Sequence, residues 1–254
     1  MELKLYRLKN NLMGIGGNIL IALEILYYKR SNELIYFDFE NMLYSNSGNI
    51  WNKYFYQPYA EYEDLIKSKI KKKEYSIEYY KPNINYRYTY LGKNLKYVYD
   101  KSFVDKLRNI FKKNIFFKKE LINKVNLYEN KYLIKKNLSV QLRGTDRFQM
   151  HAKGLRHQFT NSEFINKVQK TVYDYKIDNI FLATDDYSYY LSMKKNFNEI
   201  LLPSNSIPEN YENLKFSEEQ HLGHNLNIFE SEKFKNLNAE QAIIDCILMS
   251  RCSH

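Results

Sequence analysis

One apolar run closed by an arginine turn constrains this chain most: Val140-Gln141-Leu142-Arg143-Gly144-Thr145-Asp146-Arg147. A second apolar run, Ile180-Phe181-Leu182-Ala183-Thr184, also ends in charge at Asp185-Asp186. Short apolar runs that alternate with helical patterns are the signature of a parallel α/β sheet. The spacing predicts helices over 162–175, 188–196 and 238–249 and a strand over 199–202, with Asn161 and Asn238 as N-caps of the first and last helices. The same alternation opens the chain: a strand over 3–8, a glycine turn, a helix over 18–28, and a strand over 34–37 ending at Asp38. Residues 102–125 read as one long helix, and the rest of 54–136 shows no clear period. The expectation is an α/β fold in two halves, 1–132 with a lysine-rich helical insert and 133–254.

The length of 254 residues suits two small α/β domains, and 44% hydrophobic with 16% aromatic residues argues for a folded chain. The net charge of +10 is uneven. Residues 1–140 hold 26 Lys/Arg against 14 Asp/Glu, whereas residues 141–254 hold 13 against 15. A solvated lysine face accounts for this excess, and an anionic acceptor or an anionic membrane surface would also suit it. The basic region contains no recognisable nucleic-acid module, so nucleic acid is not expected as a partner. No window reaches ~18 consecutive apolar residues, the length of a membrane span, and residues 1–10 lack the apolar core of a signal peptide. Cys246 and Cys252 have no ligand or disulfide cluster around them, which fits a reducing, cytoplasmic setting.

Several residues are candidates for chemistry. Arg143, at the C-terminal end of a parallel strand, would face the ligand crevice with a planar fork of donors suited to phosphate. Only eight arginines occur in the chain, and Arg143, Arg147 and Arg156 fall within fourteen residues, so geometry and not charge alone selects them. A structural Arg143–Asp146 pair in the turn is the competing reading. Asp185 and Asp186 sit at the next strand end, where one would cap the following helix and the other orient Arg143 or a sugar. No third oxygen ligand accompanies them, so no metal site is expected. Asp245 lies in an apolar helix, where a carboxylate must pair with a basic group or accept from a ligand. Guanine, with two parallel donors, is one such ligand. Gly14, Gly16, Gly17 and Asn18 precede or open a helix, where backbone N–H groups can receive phosphate, and Asp38 lies near the place of a ribose-binding acid. His221 and His224 have metal-like spacing without a third ligand and read as a loop pair.

Taken in order, these segments resemble the α-1,6-fucosyltransferase superfamily, in particular its bacterial nodulation-protein-Z-like branch. Gly14–Tyr28 is similar to the family's glycine loop and helix. Phe37–Asn41 and Asn49–Phe55 resemble its Asp-Trp-x-Asn and Asn-Ala-Trp-x-x-Tyr-Phe segments. Val140–Arg147 resembles its His-x-Arg-x-Thr-Asp-Lys motif, Ile180–Asp186 its Ala-Thr-Asp-Asp strand, and Glu240–Arg251 its helix ending in Ser-Lys/Arg-Cys.

The resemblance implies a GT-B-like pair of Rossmann-like α/β domains, with the donor bound by the C-terminal one. It further implies GDP-fucose as donor substrate with no cofactor, a glycan or oligosaccharide acceptor, and metal-independent inverting transfer. By position, Arg143 would hold the β-phosphate and Asp245 read guanine, while Gly16, Gly17 and Asn18 approach the pyrophosphate and sugar. Asp185 and Asp186 would organise the arginine and fucose region. Gln141 replaces the motif's leading histidine, Gly144 stands where the animal enzymes have a second arginine, as in many bacterial members, and His151 aligns with the animal enzymes' acidic candidate base. The family continues past the Ser-Arg-Cys stretch into a further strand, so the C-terminal domain is expected to be incomplete and to expose Ile243, Ile247 and Leu248. A truncated, non-catalytic GDP-sugar-binding remnant is the alternative reading, and a basic nucleic-acid-binding protein using residues 65–136 ranks third, behind both.

Overall fold

The structure, a computed structural model, describes residues 1–11, 14–41, 48–79, 101–142, 161–184, 187–203 and 232–254. The chain divides into two compact units, Met1–Lys119 and Glu120–His254. Both are mixed α/β units built on parallel sheets.

The first unit runs β1 (Glu2–Asn11), α1 (Ile15–Tyr28), β2 (Glu33–Asn41), α2 (Ile50–Tyr54), α3 (Glu63–Lys72), β3 (Ser76–Tyr79) and α4 (Lys101–Asn114). Its strands are ordered β2-β1-β3, all parallel, with Leu5 opposite Tyr36 and Ile77. Leu3 and Leu34 face α3 and pack on Ile66 and Ile70. The opposite face carries Phe37 and Phe39, both fully buried and in ring contact with Trp51. β2 does not stop at Asp38, as the sequence suggested, but continues to Asn41. Phe39 explains the extension, because its ring belongs to the same aromatic core as Phe37.

As an outer strand, β2 needs partners for its free edge. Two side-chain amides supply them. Gln57 accepts from the Phe37 N–H through Oε1 at 2.9 Å and donates through Nε2 to the Phe37 carbonyl at 2.8 Å. Asn49 accepts from the Phe39 N–H and from the Trp51 N–H, and also donates to the Phe37 carbonyl. Asn49 is thereby the N-cap of α2 and a clasp on the sheet edge at once. It sets Trp51, 1% exposed, against Phe37 and stacks it on Phe55 with ring centroids 4.5 Å apart.

The single helix expected over 102–125 is instead two, α4 and α5 (Lys119–Tyr132), broken at Ile115–Lys118. Residues six apart on an unbroken helix point about 120° away from each other, so Phe111 and Phe117 could not both face one cluster. The break lets them meet, with Phe117 also against Phe55.

In the second unit β4 (Asn137–Leu142) and β5 (Asn179–Thr184) are parallel and in register from Asn137↔Asn179 to Leu142↔Thr184. Helices α6 (Asn161–Tyr175) and α7 (Tyr187–Phe197) cover one face, where Leu138, Val140, Ile180 and Leu182 pack on Ile165, Val168, Met193 and Phe197. On the other face Phe181 meets Tyr128 of α5, and α8 (Glu232–Arg251) packs on β5. Lys124–Glu240 and Arg251–Glu129 ion pairs bind α5 to α8. The strand expected over 199–202 is reduced to an isolated Ile180↔Leu201 bridge. The chain there is still bonded back to Phe197 and then meets Pro203, which has no N–H for a ladder.

α8 begins at Glu232, so Asn238 lies inside the helix and is not its cap. An asparagine's capping preference is a weak prior beside an intact helical ladder. Ile243 and Leu248, expected to be exposed, are 1% and 0% exposed, and Ile247 is half-buried. After α8 the chain returns to β4, where the Ser253 and His254 N–H groups donate to the Asn137 carbonyl and Ser139 N–H donates to the His254 carbonyl. No helix among the described residues is long and apolar enough to cross a membrane.

Two predictions follow from the first unit. Asn49→Ala should cost about 2 kcal/mol in urea unfolding, because a cap and two strand-edge bonds are lost together. Asn49→Asp should not restore it, since a carboxylate cannot donate to the Phe37 carbonyl. Glu33 is buried and binds Lys4 Nζ at 2.8 Å. The Lys4 hydrogen bond, then the Arg30 backbone N–H, hold its carboxyl below the ordinary value of 4.5. A depressed folded-state pKa stabilises fully above the unfolded value and ceases to do so as pH falls through the folded value. Stability should therefore drop with acidification below about pH 4.5, and Glu33→Gln should flatten that slope; an unchanged slope would refute the assignment.

Candidate functional site

In the first unit the expected binding residues lie where β1 gives way to α1. Gly14 is the N-cap of α1, with extended backbone and no side-chain cap, and the first helical turn contains no acidic residue. The N-terminus of this 14-residue helix carries a partial positive charge that neither a Gly14 side-chain cap nor an acid in its own first turn offsets. Gly16 is exposed, has no left-handed φ, and a Cβ built on it meets nothing within 4 Å. Neither backbone conformation nor packing calls for glycine there, although glycine inside a helix costs roughly 0.5–1 kcal/mol. Close approach of a ligand to the backbone is a use that would favour it. Asn18 has a different position. It is 1% exposed, and its Nδ2 donates to the Gly14 carbonyl at 3.1 Å, so its side chain braces the turn from inside.

A polar cluster that sequence reasoning missed sits on the α3 side of the same sheet. Arg7 on the central strand is in register with Asp38 on one side and Tyr79 on the other. Its Nε donates to Asp38 Oδ2 at 2.6 Å. That bond holds the guanidinium pKa above its ordinary value, burial opposes it, and the Tyr79 hydroxyl adds to it. Asp38, considered for a ribose, is therefore engaged with an arginine. The arginine scarcity that drew attention to Arg143 applies equally to Arg7 and would have found it.

In the second unit the β4–β5 register sets Leu142 and Thr184 side by side, so both strands end at one edge of the sheet. That edge is where open parallel sheets bind ligands. Gln141 lies one residue before it and is exposed, while Thr184 is buried. Arg143, Asp146, His151, Asp185 and Asp186 lie outside the described residues, as do Arg147, Arg156, His221 and His224. Asp245, in the middle of α8, is 7% exposed. It is near Tyr128, whose hydroxyl donates to the Pro203 carbonyl at 2.6 Å. Burial first, and the Asp245 charge second, push that phenol well above its ordinary range. The carboxylate therefore lies in a confined niche between α5 and α8. Among the described residues no three His, Cys, Asp or Glu side chains gather as metal ligands.

The geometry can be set beside known proteins. No protein-family profile matches the chain, and no curated protein matches it. Solved structures do. A structure of fucosyltransferase NodZ from Bradyrhizobium superposes with a TM-score of 0.55 at 12% identity, covering 99% of this chain and 86% of that one. NodZ α-1,6-fucosyltransferase soaked with GDP-fucose gives 0.53 at 12% identity, and the enzyme co-crystallised with GDP gives 0.52 at 11%, each over 99% of this chain and 86% of the other. At such identity the likeness is one of fold: this chain has an α/β fold similar to that of NodZ.

Proposed function

We propose that the protein is a glycosyltransferase that moves fucose from GDP-fucose to a hydroxyl of a glycan or oligosaccharide. The observation that carries this reading is the structural likeness to NodZ over 99% of the chain. It is supported by the order of Gly14–Asn18, Arg143, Asp185–Asp186 and Asp245 along that α/β alternation. The similar NodZ structures include one soaked with GDP-fucose and one co-crystallised with GDP.

In the proposed reaction the acceptor hydroxyl oxygen attacks the anomeric carbon of fucose. The anomeric carbon–oxygen bond to the β-phosphate breaks, and GDP departs with the electron pair. A base, for which His151 is the candidate, takes the hydroxyl proton. Attack from the face opposite the leaving group inverts the anomeric centre. Arg143, with Asp146 holding its turn, and N–H groups at Gly14–Gly17 stabilise the charge that grows on the phosphate oxygens. Such preorganised donors would perform the task that a divalent cation performs in other transferases, and no cofactor is invoked. Asp185 and Asp186 would orient the arginine and sugar, Gln141 would hydrogen-bond beside them, and Asp245 would accept from guanine. We assign the donor to residues 133–254, the acceptor to residues 1–132, and the enzyme to the cytoplasm, in keeping with the free Cys246 and Cys252.

Calorimetric titration of the 254-residue protein with GDP, UDP and ADP in EDTA tests the donor assignment. GDP should bind selectively, and Asp245→Asn should reduce the preference for GDP over ADP by ~10-fold or more. No GDP binding by folded protein would refute the reading. With GDP-fucose and an accepted oligosaccharide, Arg143→Lys should reduce transfer by ~100-fold or more, because the ammonium lacks the phosphate-matching fork. Wild-type turnover in that variant would remove Arg143 from the mechanism.

A further inference from the structure

The turn that breaks the helical segment between α4 and α5 leaves a surface the donor chemistry does not use. Phe55 and Phe117 form an antiparallel bridge, flanked by Tyr56 N–H to Phe116 carbonyl at 2.8 Å and Lys118 N–H to Tyr54 carbonyl at 2.9 Å. Side chains alternate across such a bridge. Phe55 and Phe117 turn inward to the Trp51 cluster, and Tyr56 and Phe116 stand opposite one another on the other side. Phe116 is 48% exposed and Tyr56 43%, while their neighbours Ile115 and Phe55 are 3% and 1%. Lys118 Nζ lies 4.2 Å from the centroid of the Tyr56 ring.

Around this aromatic pair basic residues outnumber acids among the described residues. Residues 101–119 hold seven Lys/Arg and one acid, Asp105, which Arg108 binds. Lys106, Lys112, Lys113 and Lys119 are exposed. Glu63 is the acid that feels Lys118, and Lys67 already pairs with it at 2.6 Å. A basic face that served only for solubility would not need phenylalanine and tyrosine held out at its end by backbone bonds.

We propose that Phe116, Tyr56 and Lys118, with the basic face of α4, dock the protein on an anionic phospholipid bilayer. Phenylalanine and tyrosine partition to the headgroup boundary, and lysines reach anionic headgroups while their stems cover apolar surface. Stacking of nucleic-acid bases would want open ring faces in a groove, whereas Lys118 covers one face of Tyr56. The inference is independent of the proposed donor.

Sedimentation of the full chain with vesicles tests it. The protein should pellet with phosphatidylcholine vesicles containing about 30% phosphatidylglycerol and remain in solution with phosphatidylcholine alone. The Lys112→Glu/Lys113→Glu variant should bind at least ~10-fold more weakly, and Phe116→Ser ~5-fold more weakly. Circular dichroism should stay unchanged in both, because these side chains stand outside the core. Phe116→Trp should add an indole whose emission shifts to the blue on anionic vesicles, against the buried native Trp51. Equal binding to both vesicle types, or none, would overturn the proposal. So would binding that a single-stranded oligonucleotide displaces with no blue shift of Phe116→Trp, which would mark a general polyanion patch.

Discussion

The first unit depends on Asn49. A three-stranded parallel sheet with β2 at its edge has unpaired amides along a strand whose inward rings, Phe37 and Phe39, form the core. Asn49 closes part of that edge, starts α2, and so determines where Trp51 enters. Phe55, four residues on, stacks on the indole, and its bridge to Phe117 ends α4 and redirects the chain. One side chain thus links sheet edge, helix start and aromatic core. The Asn49–Phe55 segment, which in the sequence looked like a family motif, has an architectural part in this structure: Asn49 bonds to backbone, Asn52 to the Tyr36 hydroxyl and the Gln57 amide, and Trp51, Tyr54 and Phe55 are buried.

What could be read in advance follows from which interactions are local. The alternation of strand and helix and the apolar strands ending at residues 142 and 184 were legible, because period is a property of short windows; the glycine turn expected before residue 18 was not, since α1 starts at Ile15 and takes Gly16 and Gly17 into its first turn. The break after Asn114 was not, since it arises from contacts of Phe117 with Phe55, far away in the chain. The same is true of α3, whose Ile66 and Ile70 acquire meaning only against Leu3 and Leu34, and of β3, a four-residue strand whose Ile77 is exposed. Arg7 was overlooked because a charged residue inside a strand is ordinarily a surface position. Only the register with Asp38 and Tyr79 turns it into a cluster.

A fold likeness at 12% identity has the same origin. Parallel strands need apolar character at alternating or continuous positions and a crossover helix of sufficient length, and many sequences meet those demands. Chemistry is more exacting than fold, because it rests on single side chains at strand ends. Leu142 and Thr184 show the scaffold doing its part: their shared register brings two strand termini to the same sheet edge. Asp245 shows the other kind of constraint. It is 7% exposed in α8, one turn after Gln241, and its charge adds to burial in raising the Tyr128 phenol.

The use of the two basic side chains sharpens the argument about phosphate. The chain contains 39 Lys and Arg, of which eight are arginine. Where arginines are described, they hold carboxylates: Arg7 on Asp38, Arg108 on Asp105, Arg251 on Glu129 with Asn126 alongside, and Arg30 beside Glu33. Some lysines hold carboxylates too, Lys4 on buried Glu33, Lys67 on Glu63 and Lys124 on Glu240, while others populate the solvent faces of α3 and α4, where a flexible point charge suffices. All four described arginines stand against a carboxylate, whereas only some of the lysines do. The planar fork that meets carboxylate oxygens at those four positions has the shape that also matches phosphate oxygens, and a lysine ammonium does not have it.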